Sequence, residues 1–348
     1  LLVNGVIAGL GSVLVFLPQI TILFAFILLL EDSGYLPRAA FLLDNLMAKS
    51  GLSGRSFIPL LSSFACAVPA VMSARTINDP RERLVTIAVA PLLTCSARLP
   101  VYALIIAAVI PNRTVGGIFN LQGLTLFILY LAGILSAALA AYIMKRLARM
   151  KGNVQQFPLL MELPTFRTPN FKHIMTSLWD RVKAFLKRAG TIIFALAVVL
   201  WGLVSWPQPP AGATGAAIDY SLAGMLGHAI QPLFAPLGFT WEMCIAMIPG
   251  IAAREVVVAA LGTVYAVSAS SEDAVQNALI PIIHNNWGLP TAFAFLAWYV
   301  YAPMCAATLA VIKRETKSTK NMVMITGYLF LMAYFAAFVV YQITSRIM

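Results

Sequence analysis

The chain has 348 residues, of which 60% are hydrophobic and only 11% are charged, and its formal net charge is +11. Soluble domains contain about 45–50% apolar and about 25% charged residues, so this composition excludes a soluble enzyme, a disordered chain and a secreted disulfide scaffold. It indicates an integral membrane protein. In such a protein a basic excess first reports the orientation of the loops, so we predict no nucleic-acid partner.

Long uncharged stretches rich in Leu, Ile, Phe and Ala predict membrane helices, because about 20 apolar residues span a bilayer, whereas barrel strands are short and alternate. The chain begins at Leu1 inside such a stretch and without an initiator Met, so we expect a piece of a longer protein. In chain order the predicted hydrophobic elements are 6–30, 56–73, 84–110, 121–144, 189–206, 241–267, 291–312 and 321–344.

The lysines and arginines between these elements predict the topology. Most of the 24 basic residues lie in four segments, which the positive-inside rule assigns to the cytoplasm: 31–55, 74–83, 145–188 and 313–320. The segments 207–240 and 268–290 contain neither lysine nor arginine. We therefore predict that they lie outside, together with 111–120 and the C-terminus.

Two hydrophobic elements are each flanked by loops on one side of the membrane, so neither is predicted to be a simple span. Both flanks of 56–73 are cytoplasmic, and both flanks of 241–267 are external. We predict that these elements are re-entrant or broken helices, since each contains a helix-breaking proline: Pro69 in the first, and Pro249 followed by Gly250 in the second. The alternative is eight ordinary spans with two loops that ignore the positive-inside rule.

The elements divide the chain into two halves of opposite orientation. The first membrane repeat is 1–144 and the second is 189–348, and each contains one re-entrant element. The basic cytoplasmic linker 145–188 separates them and ends in an amphipathic stretch, which we expect at the inner membrane surface or, alternatively, docked to a cytoplasmic domain. The predicted fold class is an all-α polytopic membrane protein with an inverted structural repeat, as in many secondary transporters.

Three of the four cysteines lie beside prolines, where helical hydrogen bonding is interrupted. Sulfur ligands and freed backbone carbonyls could meet there in a common cavity, and sulfur with carboxylate suits a borderline or soft divalent ion. The alternative is that each cysteine is a small buried hydrophobe, which is our interpretation of Cys244. The groups at predicted breaks are Cys66 with Pro69, Cys95 with Pro100, and Cys305 with Pro303 and Met304.

Ionisable side chains within hydrophobic elements are costly, so each is a functional candidate. Glu255 follows Arg254, but adjacent residues on a helix do not face each other, so we expect Glu255 in a polar interior as a cation ligand or gate. Arg98 either neutralises a carboxylate or holds a helix break through backbone carbonyls. Glu31 and Asp32 close the first span, as a solvated helix end or as an ion or partner contact at the cytoplasmic mouth.

Several stretches, in order along nearly the whole chain, resemble the membrane domain of the FeoB ferrous-iron transporters. Two positions depart from the family pattern, because Ser63–Ala67 replaces Gly-Phe-Gly-Cys-Asn and Arg254 replaces a lysine. The stretches that carry the resemblance are Glu31-Asp32-Ser33-Gly34-Tyr35, Cys66-Ala67-Val68-Pro69-Ala70, Cys95-Ser96-Ala97-Arg98-Leu99-Pro100, Arg254-Glu255-Val256-Val257-Val258 and Arg314-Glu315-Thr316.

The resemblance implies uptake of Fe²⁺ across a bacterial inner membrane, with membrane cysteines that correspond to Cys66, Cys95 and Cys305. It also implies a fold similar to nucleoside transporters with re-entrant hairpins. In the family an N-terminal GTP-binding domain precedes the membrane domain, so GTP and Mg²⁺ are expected only there, and we expect this chain not to be an enzyme. The implied partners are the lipid bilayer, that domain, small Feo-type accessory proteins and further copies of the chain.

We therefore predict the translocation pathway of a ferrous-iron transporter. Its metal-contacting groups are expected to be Cys66, Cys95, Cys305, Met304 and Glu255. The alternatives are a secondary transporter of a nucleoside or another divalent metal, and a non-transporting membrane anchor or receptor for a GTPase.

Overall fold

The computed structural model describes residues 24–49, 51–115, 119–149, 168–187, 220–252, 256–265 and 272–347, together with Arg254 and a few single residues between these ranges. The regular secondary structure of the described residues is helical, as predicted, apart from one antiparallel pair in which Thr114–Val115 faces Phe119–Asn120. Glu255 and most of the predicted elements 6–30 and 189–206 lie outside the described residues.

The helices before the linker are α1 (Tyr35–Leu42), α2 (Asp44–Lys49), α3 (Phe57–Ala65), α4 (Ala67–Ser73), α5 (Pro80–Val89), α6 (Leu99–Val109) and α7 (Leu121–Arg149). The linker contains α8 (Phe171–Phe185). The helices after it are α9 (Leu222–Phe234), α10 (Trp241–Ala252), α11 (Val256–Val264), α12 (Glu272–Asn286), α13 (Leu289–Tyr301), α14 (Ala306–Thr316) and α15 (Thr319–Ile347). Short 3₁₀ turns lie at Gly54–Ser56, Ala74–Thr76, Ala90–Leu92, Ser96–Arg98 and Ala235–Leu237.

Several described segments are apolar enough to cross a membrane. Leu222–Leu237 and Trp241–Ile251 form a bent apolar pair whose axes differ by 105°, the geometry of a broken span or a re-entrant loop. Three further segments are also long enough to cross: Pro80–Val109, Leu121–Leu147 and Thr319–Ile347. They match three of the predicted hydrophobic elements.

The two elements predicted to be re-entrant are each made of two short helices. Element 56–73 consists of α3 and α4, which pack against each other on either side of Cys66. Element 241–267 contains α10 and α11, which also pack against each other and lie on either side of Arg254. The predicted element 291–312 is also interrupted, because α13 ends at Tyr301 and α14 begins at Ala306.

The position of the second break differs from the prediction. Pro249 and Gly250 lie inside α10, and the helix ends only after Ala252. A proline removes one helical hydrogen bond, a loss that a well-packed membrane helix can tolerate. The break falls at Arg254 instead, and the Arg254 carbonyl accepts hydrogen bonds from the Tyr299 hydroxyl at 2.6 Å and from the Val257 N–H at 3.4 Å.

Hydrogen bonds and ion pairs connect segments that the charge pattern assigns to the same side of the membrane. Between segments predicted to be cytoplasmic, Asp32 Oδ2 accepts from the Asn170 N–H at 2.7 Å and Arg75 pairs with Glu315. Near the predicted outer side, the His284 ring nitrogen lies 2.8 Å from the Ala108 carbonyl. Each of these contacts therefore joins two segments that the sequence predicts on, or near, the same side of the membrane.

The core consists of two clusters of buried apolar side chains. The larger cluster joins α6 and α10–α13 with α15 and contains the buried rings of Tyr102, Phe295 and Tyr299. The smaller one joins α4, α5, α7, α14 and α15. Large apolar side chains project outward from α7 and α15, as a lipid environment requires, among them Phe127 (62% exposed), Leu135 (60%), Leu331 (75%) and Phe335 (67%).

Candidate translocation site

Three of the four cysteines lie in extended backbone between two helical segments. Cys66 has φ −155° and ψ 132° and separates α3 from α4. Cys95 has φ −86° and ψ 163° and precedes the 3₁₀ turn that leads into α6. Cys305 has φ −163° and ψ 99° and directly precedes α14. Each break therefore places a sulfur atom where backbone groups lack regular helical partners.

The prolines near these cysteines start the helices that follow. Pro69 is the third residue of α4, and Pro100 is the second residue of α6. Both are in a first helical turn, where a missing N–H costs nothing because that group has no intrahelical partner. Pro303 lies inside the break between α13 and α14, and its carbonyl accepts the Cys305 N–H at 3.0 Å. Cys244, in contrast, is a 1%-exposed side chain of the larger core cluster.

Arg98 holds the break around Cys95 by binding its carbonyl groups. Its side chain is fully buried, and it donates from Nη1 to the Leu93 carbonyl at 3.1 Å and from Nη2 to the Pro91 carbonyl at 3.1 Å. A longer contact of 3.5 Å joins Nη1 to the Leu92 carbonyl. Of the two roles that the sequence left open for Arg98, this geometry supplies the second, in which the guanidinium replaces the missing helical donors.

Arg254 joins this break to the one between α13 and α14. Its side chain is buried, and Nε donates to the Met304 carbonyl at 3.0 Å, while Nη2 donates to the Ala302 carbonyl at 3.4 Å. The remaining arm, Nη1, lies 3.6 Å from the Sγ atom of Cys95. One guanidinium therefore binds a sulfur from the first half of the chain and two carbonyl oxygens from the second half.

A second connection links the Cys95 break to the Cys66 break. The hydroxyl of Ser96 donates a hydrogen bond of 3.0 Å to the carbonyl of Ala65, the last residue of α3. This carbonyl is at a helix C-terminus, where it has no intrahelical partner. The three cysteine breaks are thus connected through named hydrogen bonds, from Cys66 through Ser96 and Arg254 to Cys305.

Met304 and Gly250 lie against the same junction. Met304 is 2% exposed. A Cβ atom added at Gly250 would lie 2.4 Å from the Val257 Cγ2 and 3.8 Å from the Met304 Sδ. The absence of a side chain at Gly250 therefore lets α10 approach α11 and Met304 closely, which is its role here, and not the helix break that the sequence predicted.

These groups do not form a closed metal cage. Among the described residues, no three Cys, His, Asp or Glu side chains are close enough to hold one metal ion. The carbonyls of Pro91, Leu93, Ala302 and Met304, which the prolines were expected to free for an ion, accept from Arg98 or Arg254 instead. Two buried guanidinium groups near Cys95 also repel a dication, so the described geometry disfavours a cation beside the Cys95 sulfur.

The residues predicted at the cytoplasmic mouth are at the start of the linker helix. Both carboxylate oxygens of Asp32 face α8, because Oδ2 accepts from the Asn170 N–H and Oδ1 lies 3.6 Å from His173 Nδ1. Asn170 is the N-cap of α8 and accepts the Lys172 N–H. Asp32 therefore anchors this helix, while the adjacent Glu31 is exposed.

The comparisons with known proteins agree with this architecture. The Gate family (nucleoside recognition) matches residues 13–109 and 186–319, which is more than half of the chain, and the C-terminal family of ferrous iron transport protein B matches 126–181. The chain is 42% identical to the Fe(2+) transporter FeoB of Leptospira interrogans and 40% identical to those of Leptospira biflexa and Staphylococcus aureus (strain COL), in each case over 99% of its own length.

The chain belongs to the FeoB family. This confirms the resemblance found in the sequence. The chain spans about half the length of these FeoB relatives, 50% for both Leptospira proteins and 49% for the Staphylococcus one. No solved structure matches it.

Two parts of the site in this FeoB-family chain are absent from the sequence prediction. Tyr299 orients Arg254 through the backbone, and its ring contacts that of Tyr102 edge to face at 6.4 Å between centroids. Neither tyrosine is marked by a motif or a proline.

A buried arginine without an acidic neighbour was a visible signal for the carbonyl-binding role of Arg98, because carbonyls are the remaining acceptors in an apolar segment.

Proposed function

We propose that this chain forms the pathway by which Fe²⁺ crosses a bacterial inner membrane. The observation that carries the proposal is the junction at Arg254, where the Cys95 sulfur and the carbonyls of Ala302 and Met304 converge on one positive charge. Here sulfur and oxygen atoms from both halves of the chain surround the positive guanidinium of Arg254. Such an arrangement suits a site through which cations pass. Membership of the FeoB family, whose relatives are named Fe(2+) transporters, supplies ferrous iron as the substrate.

The proposed ligands are those that the sequence singled out. Thiolate and thioether sulfur bind Fe²⁺ better than they bind Mg²⁺ or Ca²⁺, which prefer oxygen. A transported ion must also leave, so we propose weak successive sites along the path. These sites are formed by Cys66, Cys95, Cys305 and Met304, with Glu255 as the carboxylate or gate.

In this proposal the positive guanidinium of Arg254 occupies the position of the transported ion while the path is closed. Two unit charges about 4 Å apart repel by about 4 kcal/mol at the effective dielectric constant near a protein surface, and more in a drier interior. Fe²⁺ therefore reaches the Cys95 sulfur only when the guanidinium, which lies 3.6 Å from that sulfur, moves away. The carbonyls of Ala302 and Met304 become available to the ion in the same movement.

The proposal includes an inverted repeat with two re-entrant elements, 56–73 and 241–267, inside the domains 1–144 and 189–348. Support comes from the two packed helix pairs and from the contacts between segments assigned to one side. The 105° bend lies between α9 and α10, so it includes only the first helix of 241–267 and begins in 207–240, which the sequence predicted to be an external loop. These features fit a multi-pass protein whose linker 145–188 lies in the cytoplasm.

We also propose that transport is coupled to a cytoplasmic GTP-binding domain, which would hold GTP and Mg²⁺, while this chain carries the ion and catalyses no reaction. Small Feo-type accessory proteins and further copies of the chain are the other proposed partners. The chain spans half the length of its relatives, which leaves room for such a domain in the longer proteins.

The test is Fe²⁺ flux into proteoliposomes that contain the full-length protein under reducing conditions. We expect Cys66→Ser with Cys95→Ser to reduce flux at least tenfold, because a hydroxyl is a poor ligand for a soft or borderline ion. Cys244→Ser is the matched control, since Cys244 is buried away from the breaks. Unchanged flux in the double variant, with normal folding, would overturn the ligand assignment.

The second candidate function is transport of a nucleoside, which the description of the Gate family favours. Such a substrate needs hydrogen-bonding side chains at the broken elements, whereas Ser63–Ala67 offers a thiol and no carboxamide. Radiolabelled uridine added to the same proteoliposomes separates the two. Uptake of uridine without Fe²⁺ flux would support the nucleoside transporter and contradict the iron pathway.

A further inference from the structure

The linker helix α8 exposes a continuous apolar stripe. Phe171 is 72% exposed, Met175 is 50% exposed and Trp179 is 68% exposed. These residues are four positions apart, so they lie along one face, spread over about 80° around the helix axis. Three large apolar side chains in a row are more than scattered surface exposure, and they require a partner.

Parts of the same helix are already buried against the protein. Ile174, about 60° from Phe171 on the side away from Trp179, is 7% exposed. Val182, which follows the stripe in sequence and lies at nearly the same angle as Phe171, is 8% exposed. The start of the helix is fixed as well, because Asp32 accepts the Asn170 N–H. The helix is therefore held at its start, along the Ile174 side and near its C-terminal end, and the stripe from Phe171 to Trp179 is presented in a defined direction.

Lysines border the stripe on the side away from the protein. Lys172 and Lys183 are exposed and lie within about 20° of each other around the axis, next to Trp179. Lys187, which is also exposed, follows the end of α8. An apolar stripe that includes a tryptophan and is edged by lysines has the composition of a helix at a membrane interface, where rings enter the acyl boundary and ammonium groups remain among the headgroups.

We propose that α8 binds the cytoplasmic leaflet and selects anionic phospholipid. Phe171, Met175 and Trp179 insert below the headgroups, and Lys172, Lys183 and Lys187 bind lipid phosphates that carry a net negative charge. Charge complementarity favours this occupant, because the linker 145–188 is basic and the leaflet that it faces in the proposed topology is negatively charged. The surface is separate from the Arg254 junction, and its lipid preference does not depend on which ion is transported.

The test reads the environment of Trp179 alone. Tryptophan fluorescence of the full chain in vesicles is compared with that of the Trp179→Phe variant, and the difference reports Trp179 among the 6 tryptophans. The vesicles contain equal fractions of phosphatidylglycerol and phosphatidylcholine, and only one of the two lipids is brominated near the headgroup in each sample. We expect brominated phosphatidylglycerol to quench the Trp179 signal more strongly, with a local enrichment of about fivefold, equivalent to the ~1 kcal/mol of one lysine near an anionic surface.

Two triple variants make the result specific. Lys172→Gln with Lys183→Gln and Lys187→Gln should abolish the preference for phosphatidylglycerol while both lipids still quench Trp179, because the apolar stripe is intact. Lys313→Gln with Lys317→Gln and Lys320→Gln is the matched control, since these lysines are exposed in another cytoplasmic segment, and it should keep the preference. Equal quenching by both lipids in the unmodified chain would overturn the lipid selectivity, and absence of quenching, as expected if a protein domain covers α8, would overturn the whole proposal.

Discussion

Arg75 and Glu315 form a bidentate ion pair across a sequence separation of 240 residues, with Nε–Oε2 and Nη2–Oε1 distances of 2.5 Å. Arg75 lies in the 3₁₀ turn that ends the first broken element, and Glu315 lies in the last turn of α14. The Glu315 side chain is 7% exposed, whereas that of Arg75 is 52% exposed. The pair therefore joins the ends, predicted to be cytoplasmic, of the two elements that carry Cys66 and Cys305.

Removal of this pair should loosen the two elements from each other. A double-mutant cycle of Arg75→Gln and Glu315→Gln is expected to give a coupling energy of about 1 kcal/mol, at the upper end for a pair with one exposed partner. The measurement is the free energy of unfolding in detergent micelles. Arg314→Gln is the control, because Arg314 is exposed and adjacent to the pair. A coupling energy near zero would show that the two elements are held only by apolar packing.

The same pair should be insensitive to moderate alkali. Hydrogen bonding to Glu315 raises the pKa of Arg75 above its ordinary value, an effect that burial partly opposes. A group whose pKa is raised in the folded state stabilises that state at all pH values below the unfolded pKa and loses the effect only as the pH passes the folded pKa. The coupling energy should therefore be constant between about pH 7 and about pH 10. A decline within this interval would contradict the assignment.

Arg98 should tolerate lysine poorly even though the charge is kept. The guanidinium reaches the carbonyls of Pro91 and Leu93 with two nitrogens at once, and an ammonium group cannot reproduce this fork. We expect Arg98→Lys to reduce the free energy of unfolding by roughly 2 kcal/mol, since a buried carbonyl that loses its partner costs about 1–3 kcal/mol. Arg113→Lys, at an exposed position in the same half, should change it little. Equal stability of both variants would refute the carbonyl-binding role.

Local patterns were sufficient to predict the helical class, three of the long apolar helices and the division of element 56–73 at Cys66. Apolar runs and prolines act on the backbone within a few residues, so their effects can be read along the chain. The exact break in 241–267 could not be predicted in this way. It lies at Arg254, whose carbonyl accepts a hydrogen bond from Tyr299, 45 residues away in sequence, and whose side chain binds the carbonyls of Ala302 and Met304.

The sequence predicted that the cysteine breaks would share a cavity, but not the contacts that join them. Cys95 and Arg254 are 159 residues apart, and their contact depends on how the two halves pack. The sequence predicted that proline breaks would offer carbonyls to an ion and left carbonyl binding open as one role for Arg98, but it did not indicate that Arg254 would bind the carbonyls of Ala302 and Met304. An arginine in an apolar segment indicates that the side chain needs a partner, but its position in the sequence does not identify that partner.

Gly250 should be sensitive to a single added methyl group. An alanine Cβ would lie 2.4 Å from the Val257 Cγ2, which is too close for either helix to keep its position. We expect Gly250→Ala to cost about 1–3 kcal/mol of unfolding free energy through overpacking. Val257→Ala in the same chain should restore part of this loss, because it removes the clashing methyl group. Gly327→Ala is the control, since nothing lies within 4 Å of its added Cβ.

Arg254 should compete with metal for the Cys95 sulfur. Removal of the charge in Arg254→Gln leaves that sulfur and the carbonyls of Ala302 and Met304 without their guanidinium partner. We therefore expect at least tenfold tighter binding of Co²⁺, a spectroscopic substitute for Fe²⁺, since about 4 kcal/mol of repulsion per pair of unit charges at about 4 Å is removed. The measurement is titration of the sulfur-to-cobalt charge-transfer absorption of the reduced protein in detergent.

Two variants decide how that result is interpreted. Arg254→Lys keeps the positive charge, so its affinity for Co²⁺ should remain close to that of the unmodified chain. Cys95→Ser in the Arg254→Gln background should remove the charge-transfer absorption, because the sulfur that the guanidinium contacts is then absent. Tight binding that persists without Cys95 would place the ion on another cysteine. An unchanged affinity in Arg254→Gln would mean that the guanidinium is a structural clamp and that iron takes a route that does not pass it.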